Sequence, residues 1–146
     1  MTVLAWDTTP VVSNAEEALL LLPLLEILRR RRWIGPDSFV RTELPWNGRR
    51  VDLATMGKSG VTGAYELKLG SFQRVLEQAM YNRLSFDRSW VVISEMPLPR
   101  NLAQAREHGV GVILSKDSMR LLLPARLQRN SAVIRVRLKL AIGKGL

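Results

Sequence analysis

Hydrophobic residues in the first quarter of the chain recur with helical spacing. A dense apolar pattern over residues 15–32 ends in four arginines, which is typical of a helix C-terminus. Ser13 followed by Glu16 is a capping-box signature at its start. Pro23 lies inside this first predicted helix, and we expect a kink or a break there because proline removes one backbone hydrogen-bond donor.

Short strands joined by turns follow in the pattern of polar and apolar positions. Three successive strands are predicted, at residues 38–45, 49–56 and 64–69. The dipeptide Asn47-Gly48 between the first two strands is typical of a tight hairpin turn. A glycine-rich turn over residues 57–63 leads into the third strand.

Helices and buried strands alternate in the second half of the chain. Ser71 can cap a second helix. Its apolar residues recur at spacings of three and four: Phe72, Val75, Leu76, Ala79 and Met80. Short apolar runs predict buried strands at 90–94 and 110–114, with a helix over 98–109 between them. Residues 119–123 can form a further strand that pairs beyond the strand at 110–114. The order α-β-β-β-α-β-α-β predicts an α/β sandwich, a mixed sheet flanked by helices.

The composition is that of one globular domain. A chain of 146 residues with 47% hydrophobic and 24% charged residues can bury one core, so residues 1–146 are predicted to form a single domain. The longest apolar stretch, residues 18–25, is far shorter than the roughly 20 residues of a membrane span, so no membrane partner is expected. The absence of cysteine excludes disulfides and thiolate metal sites and favours a cytoplasmic location.

Positive charge is concentrated in the second half of the chain. The net charge is +9, and residues 70–146 hold 13 basic and 5 acidic residues. A basic C-terminal segment covers about residues 124–146. Such a balance attracts polyanions, of which nucleic acid is the commonest, although a basic surface that serves solubility alone is the alternative.

Charged residues are gathered on one face of the third predicted strand. Glu66 and Lys68 are two residues apart and leave the same face, while their odd-numbered neighbours leave the other. Asp52, on the preceding strand, can reach this face if the turn brings the two strands into register. Charges that face inward on an apolar strand are costly unless they are paired or bind something. Two converging carboxylates are hard oxygen ligands that suit Mg²⁺, and a nearby lysine can orient an attacking water, so the arrangement predicts phosphodiester hydrolysis.

At this point the residues resemble the PD-(D/E)XK nuclease superfamily, which includes restriction endonucleases and Holliday-junction resolvases. The segments that carry the resemblance are Arg50-Val51-Asp52 and Tyr65-Glu66-Leu67-Lys68. A helix follows the lysine directly, and the resemblance covers about residues 13–123. It implies a restriction-endonuclease-like core in which Asp52 and Glu66 bind Mg²⁺, with Mn²⁺ able to replace it. It also implies Lys68 as the catalytic lysine and the Leu67 carbonyl as a further metal ligand.

The same residues have a simpler interpretation, in which Asp52 caps a turn and Glu66 and Lys68 form a surface pair on an edge strand. Glu43 on the first strand can lean toward the site as a third carboxylate or as a residue that holds a metal ligand in place, although ordinary exposure explains it equally well. Some relatives also use a glutamate of the first helix. The candidates for this role are Glu16, Glu17 and Glu26, and the sequence does not choose among them.

The second predicted helix carries a polar stripe. Its members are Arg74, Gln78, Tyr81 and Ser85. Gln78 and Tyr81 are similar to a glutamine and a tyrosine that some superfamily branches carry on this helix, although their spacing here is three rather than four. Gln78 is therefore a candidate catalytic residue, and Arg74 and Tyr81 are candidate nucleic-acid contacts. A solvated helix face is the alternative.

Strict alternation over residues 134–140 predicts an amphipathic strand near the C-terminus. Three basic residues would then share one side: Arg135, Arg137 and Lys139. This edge could follow a phosphate backbone. The alternative is that the charges protect an edge strand from aggregation.

The sequence therefore predicts a Mg²⁺-dependent nuclease with DNA as the expected substrate. A second hypothesis is a non-catalytic nucleic-acid-binding module that retains the nuclease fold. A third is an interaction protein that docks an acidic partner on the apolar stripe of the tail. A homodimer is compatible with a nuclease that cuts two strands, although the sequence contains no heptad pattern.

Overall fold

The computed structural model describes residues 3–4, 15–115 and 119–143. Its strands are β1 (Val3–Leu4), β2 (Phe39–Trp46), β3 (Arg49–Met56), β4 (Thr62–Lys68), β5 (Arg88–Ile93), β6 (Gly111–Leu114) and β7 (Arg120–Leu123). Its longer helices are α1 (Ala15–Arg30), α2 (Phe72–Asn82), α3 (Pro99–Glu107) and α4 (Ala132–Gly143).

The strands form one open, mixed sheet in which they lie side by side in chain order. Strands β1 to β4 pair antiparallel, β4 to β6 pair parallel, and β7 returns antiparallel to β6. The parallel pairs are those joined by α2 and α3, because parallel neighbours need a long crossover. The α/β class and the predicted order from α1 to β6 are confirmed, while the short edge strand β1 was not predicted.

Helix α1 covers one face of the sheet. Its buried leucines pack on inward-facing residues of the central strands, including Leu53, Tyr65 and Trp90. The helix continues through Pro23, so the predicted break does not occur. Pro23 lies on the exposed side, and the leucines around it hold both halves of the helix against the sheet. The predicted cap Ser13 lies outside the described residues.

Helices α2, α3 and α4 cover the opposite face. Side chains of α2 and α3 pack on β5 and β6, and α4 packs on β2 and β3. Ser71 precedes α2 as predicted, but its side chain makes no capping hydrogen bond. Within the described ranges, every helix falls short of the length and apolarity needed to cross a membrane.

The C-terminal segment corrects one prediction, because residues 134–140 lie in helix α4 rather than in a strand. Leu138 and Ile142 are fully buried against β2 and β3, and Ile134 packs beside them. These three residues are spaced by four, so the segment also fits one face of a helix. Over so short a stretch the two periods overlap, and burial of the helical face on the sheet decides between them.

Strands β2 and β3 change face together at Glu43. Val40 packs under α1, whereas Leu44 packs under α4, although residues four apart on a regular strand share a face. In the same way, Leu53 belongs to the α1 core and Val51 to the α4 core. Glu43 has a left-handed backbone with φ of 53°, which interrupts the alternation. As a result, the apolar side chains at the hairpin tip pack under α4 rather than under α1.

Candidate functional site

Asp52 lies on β3, next to the position where its pairing with β4 ends. The regular ladder runs from Met56 opposite Thr62 to Leu53 opposite Tyr65. Beyond it, Asp52 Oδ2 accepts a hydrogen bond of 2.9 Å from the backbone N–H of Leu67. A side-chain carboxylate therefore substitutes for the backbone partner that a continued ladder would supply.

This hydrogen bond also orients the Leu67 carbonyl. The N–H and C=O of one strand residue leave the backbone on the same side. The Leu67 carbonyl therefore faces the Asp52 side of β4. Leu67 is not among the residues that line the cavity described below, so its role as a metal ligand stays a prediction.

Glu66 is almost fully buried, with 2% of its surface exposed. Its Oε2 atom accepts a hydrogen bond of 2.8 Å from Nδ2 of Asn82 at the end of α2. In the sheet Glu66 pairs with Val91, which packs under α2 and α3. Its carboxylate is thus held on the face opposite α1, between the sheet and α2.

The two carboxyl groups interact directly. Burial, together with the negative charge of Asp52, raises the pKa of Glu66 to about 8, although the hydrogen bond from Asn82 opposes the shift. Burial also raises the pKa of Asp52, against the hydrogen bond from Leu67 and the charge of Arg50. The carboxyls are close enough to share a hydrogen bond. Ionising both requires a compensating positive charge between them.

A cavity of about 460 Å³ opens at these carboxyls. It is lined by Arg49, Arg50, Asp52, Glu66, Lys68 and Gln78. The structure therefore brings together the four predicted catalytic residues from two strands and one helix. The side chains of β4 divide between its two faces as predicted, because Tyr65 and Leu67 pack under α1 while Glu66 and Lys68 line the cavity.

The chemistry of this donor set fits Mg²⁺. Asp52 and Glu66 offer carboxylate oxygens, and the Leu67 carbonyl faces the same side. In the described part of the chain, no cluster of three or more Asp, Glu or His side chains joins them. A site of two carboxylates is ordinary for Mg²⁺, which retains several waters and uses substrate phosphate oxygens as further ligands.

Glu43 is not brought into this cavity. Its Oε1 atom lies 3.7 Å from Nη1 of Arg50, which does line the cavity. The left-handed backbone at Glu43 interrupts the alternation of its strand, and among the described residues Glu43 does not join Asp52 and Glu66 as a third carboxylate. Its contact with Arg50 fits the other predicted role, that of a residue that supports the site from outside the cavity. Among the first-helix glutamates, Glu26 is exposed on α1, which covers the other face of the sheet. The side chains of Glu16 and Glu17 lie outside the described residues.

Residues on the exposed side of α2 form part of the cavity rim. The guanidinium of Arg49 lies 4.4 Å from the centre of the Tyr81 ring, and Tyr81 is 41% exposed. Tyr81 therefore supports a cation at the mouth of the cavity. Arg74 is exposed on α2 but is not among the cavity residues, so it stays a candidate contact for a longer ligand. Ser85 is buried, with its hydroxyl 3.5 Å from Nδ2 of Asn47.

The three basic residues of α4 do not form the predicted single edge. Arg135 donates a hydrogen bond of 3.0 Å to the carbonyl of Asn130. The Arg137 guanidinium lies 4.9 Å from the centre of the Trp46 ring, at the tip of the hairpin that carries Arg49. Lys139 lines a separate groove beside Arg135. Side chains two residues apart leave a helix in different directions, so of these three residues Arg137 is the one at the hairpin tip.

Sequence reasoning missed three residues of the site, Arg49, Arg50 and Asn82. Asn82 lies four positions after Gln78 and so shares its helix face, and this spacing could have identified it. Arg49 follows the hairpin turn, where exposed arginines are common. Only its contact with the Tyr81 ring, which the sequence does not show, places it at the cavity.

Comparisons with known proteins bear on the fold. No protein-family model and no curated protein matches the chain. A solved structure of a protein of unknown function from Silicibacter pomeroyi is similar, with a TM-score of 0.61 and 20% sequence identity, over 80% of this chain and 76% of that chain. At this identity the similarity supports the α/β fold alone.

Proposed function

We propose that this protein is a metal-dependent nuclease that hydrolyses phosphodiester bonds in DNA. The observation that carries the proposal is the convergence of Asp52, Glu66, Lys68 and Gln78 on one cavity. The resemblance of these residues to the PD-(D/E)XK motif supports the same reaction. A buried carboxyl pair beside a lysine and two arginines is suited to an anionic substrate that arrives with a divalent cation.

Asp52, Glu66 and the Leu67 carbonyl would hold Mg²⁺, or Mn²⁺ in its place. When bound, the ion supplies charge that stabilises the phosphate in the transition state and lowers the pKa of a water. Lys68 orients the attacking water by donating hydrogen bonds from its ammonium group. Gln78 positions the water or a phosphate oxygen through its amide. Asn82 holds the Glu66 carboxylate in place.

The rim of the cavity suits a phosphate backbone. Arg49 and Arg50 line it, Tyr81 supports Arg49, and Arg137 lies beyond them on Trp46. Arginine is well matched to phosphate because its planar group donates two parallel hydrogen bonds. Contacts from these residues would bind the strand on either side of the scissile bond.

The test is incubation of purified protein with duplex, single-stranded and branched DNA and with RNA, in Mg²⁺, in Mn²⁺ and in chelator. We expect cleavage of DNA that needs the metal and falls by about 100-fold or more in Lys68→Ala. Lys58→Ala is the matched control, since Lys58 is an exposed lysine on the β3–β4 turn. The proposal fails if no substrate is cut, or if Lys68→Ala cuts as well as the wild type.

The same experiment distinguishes the second hypothesis, a non-catalytic module that retains the fold. Such a module would bind DNA without metal, weaken steeply with salt and be unaffected by Asp52→Ala. The cytoplasmic location and a homodimeric state stay predictions.

A further inference from the structure

A second cavity lies on the α1 face of the sheet, opposite the candidate active site. Its volume is about 470 Å³, within the range of small-molecule sites. It is lined by residues from the segment just after α1, from β3, β4 and the turn between them, from β5 and from the segment after β7. Tyr65 in its wall is the direct neighbour of Glu66, whose side chain leaves the other face. The two cavities are therefore separated by the sheet itself.

Aromatic rings form one wall of this cavity. The centres of the Trp33 and Trp90 rings are 5.1 Å apart, and Tyr65 is stacked on Trp90 at 6.1 Å with an interplanar angle of 5°. Trp90 and Tyr65 are buried, whereas Trp33 is 36% exposed. Of the three rings, Trp33 is exposed enough to offer a flat, polarisable surface to a planar ligand, and Trp90 supports it from the core side.

Two glycines fix this wall in place. A Cβ atom at Gly111 would lie 2.3 Å from Cε3 of Trp90, so the indole rests directly on bare backbone. A Cβ at Gly63 would lie 2.9 Å from Oγ1 of Thr55 and 3.3 Å from the Tyr65 ring. The rings are thus packed rigidly before any ligand arrives, which lowers the entropic cost of binding.

The charge in this cavity is positive. Arg32 and Arg88 line it, and none of the described lining residues is acidic. Neither arginine forms an ion pair with another residue in the described ranges. Arg31 adds a third guanidinium 5.5 Å from the centre of the Trp33 ring. The hydroxyl of Thr62 in the same wall is already hydrogen-bonded to Asp87, so the two arginines are the main polar groups that a ligand can reach.

We propose that this cavity binds a nucleoside phosphate, with the base against the aromatic wall and the phosphate on Arg32 and Arg88. A planar, partly polar ring stacks on tryptophan, and arginine binds phosphate through paired hydrogen bonds. The phosphate comes from a free nucleotide or from the end of a nucleic-acid strand, which share this chemistry. The proposal is independent of nuclease activity, because it uses none of the residues of the first cavity.

The experiment titrates AMP into the full chain in chelator, with tryptophan fluorescence and calorimetry as readouts. AMP is expected to bind, with adenosine and inorganic phosphate each binding about tenfold more weakly or worse. The double variant Arg32→Gln/Arg88→Gln should weaken AMP binding by about tenfold or more. Arg100→Gln, an exposed arginine on α3, is the control and should leave binding unchanged.

Trp33→Leu provides a second variant in case the double variant does not fold, since Trp33 is partly exposed. Its loss should weaken AMP binding, whereas Arg100→Gln should leave AMP binding unchanged. The proposal is overturned if AMP does not bind at about 1 mM, or binds equally to the double variant and to Trp33→Leu. It is also overturned if Asp52→Asn abolishes binding, which would place AMP in the first cavity. Competition by a 5′-phosphorylated decamer, but not by its unphosphorylated form, supports a strand end as the ligand; no competition supports a free nucleotide.

Discussion

The carboxylate of Asp52 accepts a hydrogen bond from the backbone N–H of Leu67, so a residue of β3 is tied to the β4 residue that lies between Glu66 and Lys68. This contact explains how three groups from different strands meet at one cavity. It occupies one carboxylate oxygen, Oδ2, while the carboxyl group of Glu66 lies within hydrogen-bonding distance of Asp52. Burial of the pair makes its charge costly until a cation binds.

Asp52→Asn separates the catalytic from the structural role of this residue. The amide keeps the size of the side chain but removes a charge that a metal ion needs, so DNA cleavage should fall by about 100-fold or more. The same change removes repulsion with Glu66, so the free energy of unfolding measured by urea denaturation in chelator should stay equal or rise. A variant that lost activity only because it had lost stability would contradict this interpretation.

Asn82→Ala tests how Glu66 is positioned. The Asn82 amide donates to the Glu66 carboxylate and lowers its pKa, so removal of the amide should raise that pKa further. Protons compete with metal for the carboxylate, and Mn²⁺ binding should weaken by about 10- to 100-fold. The pH at which binding is half-maximal should also move upward, which a merely structural defect would not cause. Binding is measured by calorimetry from pH 6 to 9, and an unchanged midpoint would contradict the proposed role.

Glu66→Gln should change how stability depends on pH. The pKa of Glu66 is raised from an ordinary value of 4.5 to about 8, so the stability it contributes is fully present below about pH 4.5 and is lost as pH rises through about 8. Glutamine does not ionise. Between pH 5 and pH 9, the free energy of unfolding of the variant should therefore rise relative to that of the wild type, by on the order of 1 to 3 kcal/mol.

The measurement is urea denaturation in chelator at pH 5, 7 and 9. Glu77→Gln is the matched control, because Glu77 is exposed on the same helix that contacts Glu66 and should show no such trend. Parallel curves for Glu66→Gln and the wild type would show that Glu66 is not strongly shifted.

Arg49→Gln should weaken DNA binding through lost phosphate contact. Arg49 lies at the cavity mouth on Tyr81, and each phosphate contact contributes about 0.9 to the slope of log K against log salt on duplex DNA. The slope should therefore decrease by about this amount. Arg30→Gln is the control, since Arg30 is exposed at the end of α1, which covers the other face. Equal slopes for the wild type and Arg49→Gln would exclude contact between Arg49 and phosphate.

The candidate site was predictable from the sequence because its parts are local. Glu66 and Lys68 are related by the period of one strand, and the glycine-rich turn over residues 57–63 places Asp52 beside them. Gln78 follows from the helical period after Ser71. Glu43 is not among the residues that line the cavity, and its left-handed backbone could not be predicted from its residue type.

The C-terminal helix could not be predicted for a different reason. Alternation over residues 134–140 fits a strand, and the spacing of Ile134, Leu138 and Ile142 fits a helix. The choice depends on the apolar surface that Leu44 and Val51 present after β2 and β3 change face. That surface also includes Ala54, Ala64 and Phe86 from other parts of the chain, so it is a tertiary property.

Leu138→Ala and Leu140→Ala test this assignment directly. On a strand the two side chains would share a face and their loss would have similar effects. In helix α4, Leu138 is fully buried whereas Leu140 is 69% exposed. Leu138→Ala should therefore lower the free energy of unfolding by about 2 to 5 kcal/mol, and Leu140→Ala should change it by less than about 0.5 kcal/mol. Urea denaturation at pH 7 measures both, and equal losses for the two variants would show that this segment packs on the sheet as a strand.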